Sequence, residues 1–156
     1  MLAAGSPDEE GIGNEVAALI AELQSTRSNV WWIKEMLPHD QLTAMLTAAD
    51  LFVCPSIYEP LGIVNLEAMG CETAVLGSRV GGIPEVVADK ETGELVDYNG
   101  EAAPFEKALT ESITRLMSQP ELLKKYGAAG RVRAQKLFGW DAVAALTVDL
   151  YRRVIA

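Results

Sequence analysis

Pro55-Ser56-Ile57-Tyr58-Glu59-Pro60-Leu61-Gly62-Ile63-Val64-Asn65-Leu66-Glu67-Ala68-Met69 runs from the end of one apolar segment into another of helical spacing. Before it stands Leu51-Phe52-Val53-Cys54, a short apolar run stopped by Pro55, which predicts a buried strand. Leu61 to Gly70 has helical spacing, with Gly70 near its end. Pro55 to Ile63 is thus a strand-to-helix turn that carries two prolines, one glycine and one carboxylate. In open α/β sheets ligands bind outside the carboxyl ends of the strands. Gly62 at the helix opening permits close backbone approach. The N–H groups of Leu61, Gly62 and Ile63 have no helical carbonyl to bond, and with the helix dipole behind them they suit a diphosphate.

Two carboxylates bracket this opening. Helical Cα–Cβ bonds tilt towards the N-terminus, so Glu67 leans back towards the opening. A carboxylate only accepts hydrogen bonds and so suits a pair of vicinal hydroxyls, such as those of a ribose. Glu59 lies outside the helix, where it would reach a sugar. The plainer alternative stays open for both: a glutamate in the first turns of a helix often just complements the dipole.

Outward from this turn, strand and helix alternate. Met1 to Ala4 is an apolar start ended by Gly5-Ser6-Pro7, and Glu9 to Gln24 places Val16, Leu19, Ile20 and Leu23 at helical spacing. Val30 to Ile33 reads as a strand, Pro38 to Ala49 as a helix, Thr73 to Leu76 as a strand. Gly81-Gly82 turns into a short helix at Pro84 to Ala88, and Glu94 to Val96 is a last strand. Phe105 to Ser118, Pro120 to Leu137 and Trp140 to Ile155 read as helices; Leu109, Ile113, Leu116 and Met117 give the first an apolar face. Such βα units predict an α/β fold: an open, mostly parallel, Rossmann-like sheet with helices on both faces and a helical C-terminal tail. The expected division is an α/β domain over residues 1–104, cut short on its N-terminal side, with the helices of 105–156 packed on that same domain. A first strand beginning at Met1 with nothing before it points to further chain upstream.

Composition narrows the function. The 156 residues are 49% hydrophobic and 22% charged, enough for one core. A net charge of −9 makes a poor partner for nucleic acid, since polyanion binding rests on Lys and Arg. It leaves room for one small phosphorylated ligand held by backbone amides. No apolar run is long enough to span a membrane, and no basic-then-apolar leader opens the chain, so it reads as cytoplasmic. Cys54 and Cys71 read as free thiols. His39 is the sole histidine and reads as a surface residue; with no Cys pair at ligand spacing, a metal site is not expected. Trp31, Trp32 and Trp140 read as packing residues, and Gly11-Ile12-Gly13 lacks the third glycine of a dinucleotide fingerprint.

The segment Pro55 to Met69 resembles the signature of family 4 glycosyltransferases, Pro-Ser-x-x-Glu-Pro-x-Gly-x-x-x-x-Glu-Ala. Val80-Gly81-Gly82-Ile83-Pro84-Glu85-Val86-Val87, Thr92-Gly93-Glu94-Leu95-Val96, Ala49-Asp50-Leu51-Phe52-Val53 and Phe138-Gly139-Trp140-Asp141 resemble the family in its own order. The detail is most similar to bacterial glycogen synthases of this family, which extend an α-1,4-glucan or make maltose 1-phosphate from a nucleoside-diphosphate glucose.

The resemblance implies the C-terminal half of a GT-B fold and transfer of glucose, with retention, from ADP-glucose or UDP-glucose to an α-glucan or glucose 1-phosphate. It implies that Glu59 lies beside the donor sugar as the catalytic glutamate. It implies that Glu67 binds the ribose and that amides of Leu61, Gly62 and Ile63 meet the diphosphate and sugar. Lys34, Glu35 and Met36 correspond to the region near the base. No cofactor or metal is implied, and the acceptor would be met by an N-terminal domain not in this sequence. The family's Gly-Arg turn and following Lys, which grip the diphosphate, have no counterpart here, so the chain alone is expected to be inactive. Glu72 and Lys90 stand where the family commonly has glycine, which predicts strained backbone at both. The alternative function is a non-catalytic nucleotide-binding module or an incomplete fragment without transferase activity.

Overall fold

The computed structural model describes residues 1–3 and 10–155. The expected end of the first strand at Ala4 to Pro7, and the start of the first helix at Glu9, lie outside those residues. The chain divides into two compact units, Met1–Leu42 and Thr43–Ala156. The first holds β1 (Leu2–Ala3), α1 (Glu10–Thr26) and β2 (Trp32–Ile33), with β1 and β2 paired in parallel. Of the apolar stripe expected on α1, Ile20 is buried and Val16 half-buried, whereas Leu19 and Leu23 are exposed.

The division falls within α2 (His39–Ala48), and the second unit continues with β3 (Leu51–Cys54), α3 (Ile63–Gly70), β4 (Ala74–Ser78), α4 (Ile83–Val86) and β5 (Gly93–Val96). Helices α5 (Ala102–Met117), α6 (Pro120–Phe138) and α7 (Trp140–Ile155) complete it. The strands form a parallel sheet in the order β3-β4-β5, with Cys54 opposite Gly77 and Ser78 opposite Val96. All five residues of the central strand β4 are buried, as a parallel strand covered on both faces requires. The fold is therefore α/β, with a parallel sheet flanked by helices and a helical C-terminal part. Among the described residues the strands pair as β1-β2 and as β3-β4-β5, all in parallel, as expected.

Ala74 and Leu76 of β4 pack with Val96, Phe105, Leu116, Leu123 and Tyr126. Tyr98 meets Phe105 edge-on, with ring centroids 5.3 Å apart. Leu116 is wholly buried, but Met117 is half exposed to solvent, so the apolar face of α5 is narrower than its sequence predicts. The core also holds a charge. Glu94 is buried and takes both terminal nitrogens of Arg115 as well as the Tyr126 hydroxyl at 3.2 Å. These bonds offset the cost of burying a carboxylate. The Glu94 hydrogen bond raises the Arg115 pKa; burial, and then the Glu94 charge, push the Tyr126 phenol up.

Glu72 and Lys90 have φ of +61° and +62°, left-handed values that side chains other than glycine disfavour. Cys54 is buried and Cys71 half-buried, both as thiols. Two tryptophans depart from expectation: Trp31 is 56% and Trp140 88% exposed. Trp140 opens α7, which packs along α6 yet has no buried residue, so nothing among the described residues covers its ring. Among the described residues, no helix is long and apolar enough to cross a membrane.

Candidate functional site

The loops after β3 and β4 leave from the same edge of the sheet and meet around Glu59. Helix α3 starts at Ile63, two residues later than the sequence predicts. The reason is Gly62, which is left-handed (φ +87°, ψ +50°) and cannot continue a helix. A side chain at 62 would begin 2.5 Å from Nδ2 of Asn65 and 3.5 Å from Cγ of Glu59. Ile63 and Val64 are the first helical residues, so their N–H groups have no helical carbonyl behind them, and both are exposed.

Glu59 is held at two points. Its Oε1 accepts the Gly62 N–H at 3.1 Å, and its carbonyl accepts the Gly82 N–H at 3.0 Å. The amide of Gly62, expected to face a ligand, is thus capped in this structure by the glutamate beside it. The second bond comes from the turn after β4. Gly81 has φ +50°, and a Cβ there would lie 1.9 Å from the Glu59 carbonyl oxygen. A Cβ on Gly82 would lie 2.5 Å from the Pro60 carbonyl oxygen.

This turn is itself anchored. α4 follows it, and Arg133 of α6 donates to the carbonyls of Val86 and Glu85, each at 2.8 Å, satisfying groups that a helix end leaves open. Arg79 bonds Asp89 and Asp97, each at 2.7 Å, and its own N–H bonds the Val96 carbonyl, which joins the ends of β4 and β5. Burial pushes the Asp89 carboxyl up, but the hydrogen bonds from Arg79 and the Leu95 N–H, with the charges of Arg79 and Lys90, outweigh it and leave it lowered. On the β3 side, Ser78 donates its hydroxyl to the Ser56 carbonyl.

Glu67 stands one turn beyond Ile63 on the same side of α3. It is half-buried and lines a recess of about 290 Å³ with Leu66, Ala134, Gln135, Phe138 and Gly139. Its carboxylate has no hydrogen bond or ion pair among the described residues. Lys34, Glu35 and Met36 follow β2 in the first unit, where all three are exposed. The Lys34 ammonium lies 4.4 Å from the centre of the Trp32 ring, a cation–π contact. Among the described residues, no three His, Cys, Asp or Glu side chains gather in a way that would hold a metal ion.

The family model for group 1 glycosyl transferases matches residues 4–133. The chain belongs to this family. It is 48% identical over its whole length to an α-maltose-1-phosphate synthase of Mycolicibacterium smegmatis, of which the match spans 41%. Among solved structures, a sucrose-phosphate synthase from Thermosynechococcus elongatus superposes with a TM-score of 0.81 at 33% identity, over 99% of this chain and 38% of that one. HepE of Anabaena, in complex with UDP and glucose, shares the fold, with a TM-score of 0.72 at 19% identity over 94% of this chain and 40% of its own. These structural neighbours are GT-B glycosyltransferases. The chain spans about two fifths of the length of the relatives it matches.

For this glycosyltransferase domain, the structure gathers Glu59, Leu61, Gly62 and Ile63 at one helix opening, with Glu67 a turn further along. Two features of that opening are not evident from the sequence. Gly81-Gly82 was legible as a turn at the carboxyl end of a strand, but its contact with the Glu59 backbone was not. Asn65 was visible as a lone amide among apolar helix residues, and it is wholly buried.

Proposed function

We propose that this chain is the donor-binding part of a retaining, family 4 glycosyltransferase that takes glucose from ADP-glucose or UDP-glucose. The observation that carries the reading is the opening of α3. A left-handed Gly62, the first amides of α3 with no helical carbonyl behind them, and two glutamates eight residues apart stand together at the carboxyl edge of the sheet. Amides of Leu61, Gly62 and Ile63 would face the diphosphate, Glu59 the transferred sugar and Glu67 the ribose, with Lys34, Glu35 and Met36 towards the base. The departing diphosphate gains negative charge in the transition state, and preorganised amides at a helix start stabilise it there. Of the two acceptors, the name of the M. smegmatis relative favours glucose 1-phosphate over a glucan. The acceptor would be held by the portion of the longer relatives that this chain does not match.

The test uses two proteins: this chain, and this chain joined to the unmatched portion of the M. smegmatis relative. Each is given ADP-glucose or UDP-glucose with glucose 1-phosphate or a glucan primer, and released nucleoside diphosphate is measured. The expected result is turnover by the joined protein and none by the chain alone. Binding of neither ADP nor UDP by the joined protein would overturn the reading. Turnover by the chain alone would place the acceptor site within these residues.

A further inference from the structure

Asn65 is the polar side chain that the site described so far leaves unused. It sits in the first turn of α3, is wholly buried, and has no hydrogen-bond partner for Nδ2 or Oδ1 among the described residues. A buried amide without partners is costly, and native proteins rarely keep one without a use for it. Its surroundings indicate the use. Nδ2 lies 2.5 Å from the point where a side chain on Gly62 would begin, and Cγ of Glu59 lies 3.5 Å from the same point. The two side chains are therefore neighbours, and a rotation about the Glu59 side chain would bring its carboxylate from the Gly62 N–H towards the Asn65 amide.

We propose that Asn65 is a positioning residue that gives the Glu59 carboxylate a second seat. In the first seat the carboxylate caps the Gly62 N–H, as seen here. In the second it accepts from Asn65 Nδ2, which leaves the Gly62 N–H to a diphosphate at the opening of α3. The move is required by charge: a carboxylate and a diphosphate cannot share one amide without strong repulsion. Asn65 supplies the donor that makes the move affordable, and it turns Glu59 away from the phosphates. This inference rests on the donor-binding reading above.

The test is a double-mutant cycle read by calorimetry with ADP, UDP and inorganic pyrophosphate on the joined protein described above. Asn65→Leu removes the second seat and should weaken binding about tenfold, the lower end of what a hydrogen bond to a charged group contributes. Glu59→Ala removes the carboxylate that needs the seat. In that background Asn65→Leu should change affinity less than twofold, because residues acting through one another are non-additive. The melting temperature of Asn65→Leu should hold or rise, since an unpartnered amide has been replaced by an apolar group of similar size. If Asn65→Leu does not fold, Asn65→Ala enters the same cycle. Equal losses of affinity with and without the Glu59 carboxylate, or no loss in either, would overturn the inference alone. A wild-type protein that binds none of the three probes would overturn the donor-binding reading as well.

Discussion

Gly81→Ala is the most demanding single change at the candidate site, because the structure says where its one added carbon goes. The Cβ would lie 1.9 Å from the Glu59 carbonyl oxygen and 2.9 Å from the carbonyl carbon. Clearance to about 3 Å requires the two backbones to part by about 1 Å. Two costs follow. The left-handed φ of +50° costs an alanine roughly 1–2 kcal/mol. Parting the backbones also weakens the Gly82 N–H bond to the same carbonyl, worth about 1 kcal/mol. Together they lower stability by roughly 2–3 kcal/mol, and the melting temperature by roughly 4–12 °C for a chain of this size. Gly100→Ala is the control. Gly100 is also left-handed, with φ +94°, but a Cβ there meets nothing within 4 Å, so it incurs the backbone cost without the clash. The assay is thermal unfolding followed by circular dichroism on wild type and both variants. If Gly81→Ala and Gly100→Ala melt together, the Gly81 turn does not press on Glu59 and the reasoning fails. Where turnover is measurable, a 1 Å displacement of Glu59 should also reduce it about a hundredfold.

Other changes separate the roles at the site. Glu67→Ala should weaken nucleoside-diphosphate binding roughly ten- to a hundredfold, as loss of a charge-assisted bond to ribose would; unchanged affinity by calorimetry would remove Glu67 from that role. Glu59→Gln should lower turnover far more than nucleoside-diphosphate binding, and equal losses in the two measurements would contradict its place beside the sugar. Lys90→Gly should raise stability by about 0.5–1 kcal/mol in chemical denaturation by relieving the φ of +62°, while Lys90→Ala should give no gain. Glu72→Gly should gain less, since it also gives up the exposed contact with Arg131 at 3.5 Å.

How much of this was legible in the sequence depends on the range of the interaction involved. β3 was legible residue for residue, because an apolar run between Asp50 and Pro55 has one reading as a buried strand. The left-handed backbones at Glu72 and Lys90 were legible as departures from a family pattern that places glycine there. The start of α3 was not, because Leu61 and Gly62 fit helical spacing while the turn in space requires Gly62 to be left-handed. Spacing along a chain carries no information about a turn some twenty residues later, and it is the Gly81-Gly82 turn that fixes the Glu59 backbone. The same limit explains the two glutamates. Their presence and separation were legible, and so was a helix opening between them. That Glu59 occupies the Gly62 amide follows from where a side chain three residues away comes to rest, which no periodicity records. Asn65 is the sharpest case. On α3 it falls among apolar neighbours, where pattern alone treats an amide as noise. Only the structure shows its total burial and its place 2.5 Å from where a side chain on Gly62 would begin. A site whose donors are backbone amides is therefore read incompletely from side-chain motifs: the motif names the carboxylates, and the packing around one glycine decides which amides they leave open.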